Sequence, residues 1–260
     1  MRAMATWIDL NADVGESLGA WPMGDDERLI PLVSSVNVAC GAHAGDPRTI
    51  ERTVRLAVAS GAAVGAHPGY PDLLGFGRRD LAMEPADLEA SILYQVGAVA
   101  AFARDAGVEL HHVKPHGALY NAAARDRQLA ETIARAIHRA GSSLLVYGPP
   151  GSALLAAAEA AGLPVVAEAF PDRAYEPDGS LRSRRLPGAV LSDSATIADR
   201  ALALARDGRV VASDGSLVTV AAGTLCLHGD TPGAADHARA VRETLAAAGI
   251  EVRAVAPGAR

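Results

Sequence analysis

The stretch WIDLNAD, at residues 7–13, separates polar from apolar side chains with the period of two that a β-strand requires. Its polar face presents a carboxylate, an amide and a second carboxylate, from Asp9, Asn11 and Asp13. The opposite face carries Ile8, Leu10, Ala12 and, just beyond the stretch, Val14. A solvated surface strand would alternate in the same way, but other strands of the chain repeat the polar set. The pattern therefore predicts a strand with polar groups facing an interior or its mouth.

Short apolar runs of this kind alternate with helical patterns along the whole chain, which is typical of βα units around a parallel sheet. The predicted strands are 7–13, 35–40, 62–67, 110–115, 144–147, 165–168 and 224–228, with a short last strand near Val252. The predicted helices are 47–60, 85–106, 125–140, 152–161, 194–206 and 233–248. We expect a single α/β-barrel domain over residues 1–260, with a small hairpin excursion at 209–221, where Asp214 and Gly215 lie between two β-rich runs.

Composition narrows the classes of partner. The chain has 260 residues, half of them apolar, which is enough for a substantial core. Its formal net charge of -6 and its scattered charges argue against nucleic acid as a partner. No apolar run approaches the roughly 18 to 20 residues of a membrane span, and no apolar secretion segment is seen. With only Cys40 and Cys226 as thiols, the sequence predicts a soluble, cytoplasmic protein with reduced, buried cysteines.

Titratable residues collect where the predicted strands end. His112, Lys114 and His116 share one face of the fourth strand, and burying three such groups is costly without partners. In barrels of parallel strands, the carboxyl ends of the strands build the active site. The residues that map to this end are Asp13, His43, His67, Lys114, His116, Glu168, His228 and Asp230. Any one histidine alone would suit a structural hydrogen bond, but the set predicts a shared polar active site.

Two chemistries stay open for this set. An aspartate with several histidines can hold a divalent metal that activates water, and Asp13, His43 and His67 are then the candidate ligands. The same residues can work without a metal, with a carboxylate as base, a histidine as acid and Lys114 stabilising an oxyanion or phosphate. No HExxH or CxxC spacing decides between them. The loop at 75–79 is either an ordinary connector or a positively charged cover for an anionic substrate.

Seven sequence blocks carry a resemblance to a known family. They are DLNADVGE at 9–16, NVACGAHAGD at 37–46, GAHPGYPD at 65–72, GFGRR at 75–79, VKPHGALYN at 113–121, EAFPDRAY at 168–175 and CLHGD at 226–230. Through these blocks the chain resembles the LamB/YcsF family, which comprises A subunits of the prokaryotic ATP-dependent 5-oxoprolinase. The blocks follow one another in the expected order over nearly the whole chain.

The resemblance implies a distorted seven-stranded parallel β/α barrel of the kind found in glycoside hydrolases and polysaccharide deacetylases. It also implies cleavage of 5-oxoproline to L-glutamate, coupled to hydrolysis of ATP, with Mg, to ADP and phosphate. Subunits B and C of 5-oxoprolinase are the implied partners. The requirement for a tightly bound divalent metal stays open.

The expected site residues fall into two groups. The expected catalytic residues are Asp13, Lys114, His116 and Glu168. The expected substrate-binding residues are Asn11, Asn37, His43, His67, Arg79, Arg173, His228 and Asp230. In this hypothesis, Lys114 and Arg173 bind carboxylate or phosphate charge, and Asp13 or Glu168 activates water. His43, His67 and His116 serve in proton transfer or as ligands. The alternatives are a stand-alone metal-dependent amidase or deacetylase, and a non-catalytic subunit that binds the lactam.

Overall fold

A closed barrel of seven parallel strands forms the centre of the computed structural model, which describes residues 6–256. In chain order, all strands of the described residues, including three outside the barrel, are β1 (Trp7–Val14), β2 (Ser35–Ala39), β3 (Ala63–His67), β4 (His112–Val113), β5 (Leu145–Gly148), β6 (Val165–Ala169), β7 (Arg209–Val211), β8 (Leu217–Thr219), β9 (Thr224–His228) and β10 (Glu251–Val252). The barrel runs from β1 through β6 to β9, and it closes because β9 pairs with both β6 and β1. The predicted fold class, an α/β barrel of seven parallel strands, is confirmed.

Two short elements lie outside the ring. Strands β7 and β8 form an antiparallel hairpin within the predicted 209–221 excursion, and β10 pairs with the start of β1. The predicted single domain over 1–260 includes residues 1–5 and 257–260, which lie outside the described residues. That span stays a prediction, as does the lack of a secretion segment at the N-terminus.

Helices surround the barrel. They are α1 (Asp26–Leu29), α2 (Pro47–Ala59), α3 (Pro85–Asp105), α4 (Gly117–Ala123), α5 (Arg127–Ala140), α6 (Ala153–Ala160), α7 (Ser194–Asp207) and α8 (Ala234–Ala247), with a 3₁₀ turn at Ile30–Leu32. Side chains cap several of them: Asp46, for example, accepts hydrogen bonds from the amides of Arg48 and Thr49 at the start of α2. None of the helices between residues 6 and 256 combines the length and apolar character needed to cross a bilayer.

One predicted strand was too long, and two short helices were missed; other predicted bounds differ from the observed ones by one or two residues. The fourth strand pairs only at His112–Val113, rather than over 110–115, because Pro115 has no amide hydrogen with which to extend the ladder. Helices α1 and α4 were not predicted. They have only four and seven residues, too few to display a helical period, and α4 starts directly after the strand-end residue His116.

In the structure, the side chains of β1 alternate between the hydrophobic core and the polar interior of the barrel. Ile8, Leu10, Ala12 and Val14 are at most 3% exposed and belong to the main hydrophobic core. On the other face, the carboxylate of Asp9 accepts hydrogen bonds from Ser34, Ser35, Tyr147 and Thr224, with distances from 2.6 to 3.1 Å. A buried carboxylate is tolerated only with such partners, so the lowest layer of the barrel interior is a closed polar network.

The backbone of β3 lies so close to the His112 ring that only glycine fits at Gly65, where a Cβ would stand 2.1 Å from His112 Nε2. Gly65→Ala should therefore lower the free energy of unfolding by about 1–3 kcal/mol, the usual cost of overpacking a core. Gly97→Ala is the matched control, because Gly97 lies within α3 with no atom within 4 Å of its added Cβ. That change should raise stability by up to about 1 kcal/mol. Urea unfolding measures both, and equal stability of the two variants would contradict this packing argument.

Candidate active site

A cavity of about 500 Å³ opens at the carboxyl ends of the barrel strands. Of the residues predicted for the site, those that line it are Asp13, His67, Lys114, His116, Arg173 and His228. They come from β1, β3 and β9 and from the segments that follow β4 and β6. The parallel ring thus brings together side chains that are far apart in the sequence, as expected for the active-site end of such a barrel.

Lys114 joins two carboxylates inside the barrel. Its Nζ lies 3.0 Å from Asp13 Oδ1, 3.0 Å from Glu168 Oε1 and 2.9 Å from Cys226 Sγ, and all four side chains are buried. Burial by itself would raise the pKa of Asp13, but the charges of His67 and Lys114 hold that pKa well below its usual value. Burial would likewise lower the pKa of Lys114, but Asp13 and Glu168 together hold it well above its usual value. The pair is therefore ionised at neutral pH.

Asn11 and Asn37 lie beneath this pair and are fully buried. Asn11 donates to Glu168 Oε1 at 2.9 Å, and Asn37 donates to Asp13 Oδ1 at 2.8 Å. His112 in turn contacts Asn37 Oδ1 at 2.8 Å. The two asparagines were predicted to bind substrate; in the structure they are not among the residues that line the cavity, and they orient the carboxylates.

Glu168 also lies outside the lining of the 500 Å³ cavity. Its Oε2 accepts a hydrogen bond of 2.8 Å from the hydroxyl of Tyr120, and it lines an adjoining cavity of about 310 Å³ together with Tyr120 and Phe170. Since each oxygen of Glu168 already has a donor, this carboxylate acts as a charge partner for Lys114.

Asp172 and His228 form a dyad on the β9 side of the cavity. Asp172 Oδ2 accepts hydrogen bonds from His228 Nδ1 at 2.8 Å and from the backbone amide of His228 at 3.2 Å. Burial would raise the pKa of Asp172, but the charge and hydrogen bonds of His228 lower it overall. The dyad fixes the imidazole so that Nε2 is left for the cavity. Asp172 was missed as a site residue because it follows β6 in a loop, where strand phase gives no information.

Four buried side chains converge near the β3 and β4 ends of the barrel. We call Glu16, His43, His67 and His116 the Glu16–histidine cluster; their candidate ligand atoms lie within 4.8 Å of one another. The predicted metal set of Asp13, His43 and His67 differs from this group, although Asp13 Oδ2 lies 3.4 Å from His67 Nε2. Glu16 was missed because strand alternation ends at Gly15, whose φ of +70° turns the chain.

The loop at 75–79 contributes a different arginine from the one predicted. Arg79 forms an ion pair with Asp72 and does not line the cavity, whereas Arg78 lines it and pairs with Asp230 at 2.6 Å. Gly77, with a φ of +62°, lets the loop turn against the histidines, since its Cβ would stand 2.7 Å from His116 Cδ2. The structure therefore places Arg79 outside the cavity and uses Asp230 as the partner of Arg78.

Positive charge dominates the cavity wall. The cationic residues that line it are Arg78, Lys114, Arg125, Arg173, Arg182, Arg184 and Arg185, and the acidic ones are Asp13 and Asp80. Arg173 donates to the carbonyl oxygens of Ala189 and Arg182, and burial, with the nearby Arg184, lowers its pKa to about 10. Such a wall favours a small anion as the bound molecule.

Fold and cavity together define a β/α-barrel enzyme with ionised carboxylates, a buried lysine and histidines at its active-site end. The chain belongs to the LamB/YcsF family, whose model matches residues 8–260. The family expected from the sequence blocks is thereby confirmed.

Relatives match over nearly the full length. A protein of Chloroflexus aggregans, named as the A subunit of 5-oxoprolinase, is 57% identical over 246 residues, which cover 95% of this chain and 98% of the relative. A protein of the same name from Thermus thermophilus is 53% identical and covers 95% and 99% of the two chains. The crystal structure of the lactam utilization protein from Thermus thermophilus is 52% identical, with a TM-score of 0.91, and covers 96% of this chain and 100% of that one.

Removal of the Lys114 charge should destabilise the barrel. Lys114→Met leaves Asp13 and Glu168 buried without their cation, so we expect a loss of about 3–5 kcal/mol in the free energy of unfolding at neutral pH. Arg55→Met removes an exposed partner of Asp105 and is the control, expected to change stability little. Chemical unfolding followed by circular dichroism measures both. A Lys114→Met chain as stable as the Arg55→Met chain would show that the ion pair is not needed for the fold.

Proposed function

We propose that this chain is the A subunit of an ATP-dependent 5-oxoprolinase, which opens 5-oxo-L-proline to L-glutamate while ATP is hydrolysed to ADP and phosphate. Near full-length identity of 57% to a relative of that name carries the proposal. It includes subunits B and C as partners and ATP, with Mg, as the energy source. It also includes a cytoplasmic location, which the buried free thiols of Cys40 and Cys226 support.

The cavity suits this substrate. 5-Oxoproline is a small monoanion at neutral pH, and a volume of about 500 Å³ with a cationic wall can hold it together with a phosphate group. We assign its carboxylate to the arginine side, near Arg173 and Arg182, and its lactam carbonyl to the neighbourhood of Lys114. A lysine that is fixed and charged before substrate arrives can stabilise negative charge as it develops on that oxygen.

The requirement for ATP follows from the low reactivity of the lactam amide. A five-membered lactam is a poor electrophile, and transfer of a phosphoryl group to its carbonyl oxygen would make the ring carbon easier for water to attack. The added phosphate brings further negative charge, for which Arg78 and Arg125 are available in the wall. Water then adds to the carbon, and the carbon–nitrogen bond breaks as the ring nitrogen takes up a proton, which leaves a γ-glutamyl phosphate. A second water hydrolyses this acyl phosphate to glutamate and phosphate.

His228 is the best candidate for proton transfer in this scheme. Asp13 has a pKa held well below its usual value, by His67 and Lys114 against the effect of burial, so it is a weak proton acceptor at neutral pH. Glu168 is shielded by Lys114, Asn11 and Tyr120. His228, fixed by Asp172 and lining the cavity, can take a proton from water and return one to the nitrogen. This assignment replaces water activation by Asp13 or Glu168, and it leaves His43, His67 and His116 for ligation.

The reaction is tested by 5-oxoproline-dependent release of ADP from this chain alone and with its two partner subunits, with and without a chelator. We expect turnover only in the complete mixture, with glutamate formed in equal amount to ADP. Glutamate formed by the chain alone without ATP, and lost with chelator, would support the stand-alone metal-dependent amidase instead. Full coupled turnover by the partners without this chain would contradict a catalytic role for it.

The dyad gives a second test in the complete system. His228→Gln should lower kcat by about 10²–10⁴-fold with little change in KM, as usual for loss of an acid–base group. Asp172→Asn should lower kcat less, and the double variant should be no slower than His228→Gln, because Asp172 acts through His228. His138→Gln, on the exposed side of α5, is the control and should match the wild type. Additive losses, or an effect confined to KM, would contradict the dyad.

A further inference from the structure

The Glu16–histidine cluster is not used by the proton-transfer scheme, and its geometry is unusual for a set of neutral side chains. His43, His67 and His116 are each at most 3% exposed, and Glu16 is 5% exposed. Glu16 Oε1 lies 3.6 Å from His43 Nε2 and 3.9 Å from His116 Nδ1, which is too far for hydrogen bonds. Four groups able to donate electron pairs thus face one small volume.

Backbone carbonyls fix the tautomers of two of these histidines. His67 Nδ1 lies 2.7 Å from the carbonyl oxygen of Lys114, and His116 Nε2 lies 2.8 Å from that of Phe76. A carbonyl oxygen can only accept, so these two nitrogens carry the hydrogens. When both rings are neutral, the other nitrogens, His67 Nε2 and His116 Nδ1, present lone pairs to each other at 3.0 Å. Two lone pairs at this distance repel unless a positive charge lies between them.

Phe76, whose carbonyl oxygen contacts His116, has an unusual backbone conformation. Phe76 is the one residue other than glycine with a positive φ, +55°, among residues 6–256, and this conformation directs its carbonyl toward His116. Left-handed backbone at a bulky residue is strained, and such strain collects at functional sites. A backbone carbonyl that orients the far nitrogen is also the usual outer partner of a histidine that binds a metal.

A proton alone does not satisfy the cluster. One proton between His67 and His116 would leave both ring nitrogens of His43 without a hydrogen-bond partner among the described residues. A metal ion, unlike a proton, can take electron pairs from all four groups.

We propose that Glu16, His43, His67 and His116 bind one divalent transition-metal ion, with Zn²⁺ as the best fit. Three imidazole nitrogens and one carboxylate are ligands that Zn²⁺ commonly accepts. A tetrahedral site with bonds of about 2.0–2.1 Å has its ligand atoms roughly 3.3 Å apart; three of the separations here are 3.0, 3.6 and 3.9 Å, and all lie within 4.8 Å. The ion would lie beside the cavity, because His67 and His116 line it.

The four ligands are not equivalent. The His43 ring stacks on that of His116 with parallel planes and a centroid distance of 3.7 Å. An ion in the plane of His116 is reached by His43 only after its ring tilts. His67, His116 and Glu16 are therefore the core of the site, and His43 is the ligand whose loss costs least.

Metal binding is measured on the purified full-length chain, which keeps this proposal separate from the proposed reaction. The chain is stripped with a chelator and titrated with Zn²⁺ against a chromophoric chelator. We expect one Zn²⁺ per chain. His67→Ala and His116→Ala should each lower the affinity for Zn²⁺ by more than about 100-fold, because loss of a group that only hydrogen-bonds to a metal ligand already lowers affinity by about 10–100-fold. Glu16→Gln should also weaken binding, and His43→Ala should weaken it least. His138→Ala, which alters an exposed histidine, should bind as the wild type does.

Failure of a variant to fold would not remove the test, because the wild-type chain gives two further readouts. Zn²⁺ should raise its Tm, and bound Co²⁺ should show the intense visible absorption of a four-coordinate site. A Co²⁺ spectrum that stays that of the hydrated ion, or zinc binding below one equivalent in the wild type, would overturn the proposal. Equal affinity in folded His116→Ala and wild-type chains would overturn it as well.

Discussion

The charge of Lys114 is the interaction on which the barrel interior depends. Lys114 is the sole lysine of the chain, and arginine supplies the rest of the 24 basic residues. An arginine fork is larger and more rigid than an ammonium group, which places three donors at a single point. Lys114 Nζ lies 3.0 Å from both Asp13 Oδ1 and Glu168 Oε1. A single ammonium group therefore contacts both carboxylates, which gives a physical reason for a lysine here.

The polar layers beneath Lys114 fix where its partners lie. Asp9 is held at the bottom of the barrel by hydroxyl groups, and the asparagines of the next layer donate to Glu168 and Asp13. Because each of these buried acceptors has its donors, the carboxylates have little freedom to rotate toward a ligand. Such a framework resembles the support that a preorganised catalytic group requires, in which the charges are set before substrate binds.

Strand periodicity in the sequence is enough to predict most of this framework. The phase of β1 placed Asp9, Asn11 and Asp13 on one face, and their hydrogen bonds agree with that placement. Periodicity carries no information where the backbone leaves the strand. Glu16 follows a left-handed glycine, and the choice between Arg78 and Arg79 depends on a loop turn at Gly77. The short α4 and the loop position of Asp172 were beyond prediction for the same reason.

The substrate is predicted on different grounds from the barrel, because it depends on the sequence blocks rather than on strand periodicity. Polar strand ends alone indicate an amidase-like hydrolase, with or without a metal, and they do not specify 5-oxoproline. The choice of 5-oxoproline as the substrate comes from the family. The structure adds the positively charged cavity wall and two distinct groups of histidines. The His228 dyad and the Glu16–histidine cluster lie near different strand ends, which allows proton transfer and ligation to be separate tasks.

The two kinds of charge in the cavity also differ in how they act. Arg184 and Arg185 are exposed at the rim, where salt screens charges over about 8–10 Å, so they influence mainly the capture of an anion. Asp13 and Lys114 are buried, where salt has little effect and their interaction is stronger. Binding strength should thus depend on ionic strength through the rim, whereas the chemical step depends on the interior. This division lets the rim take part in the capture of an anion without disturbing the charges on which the fold relies.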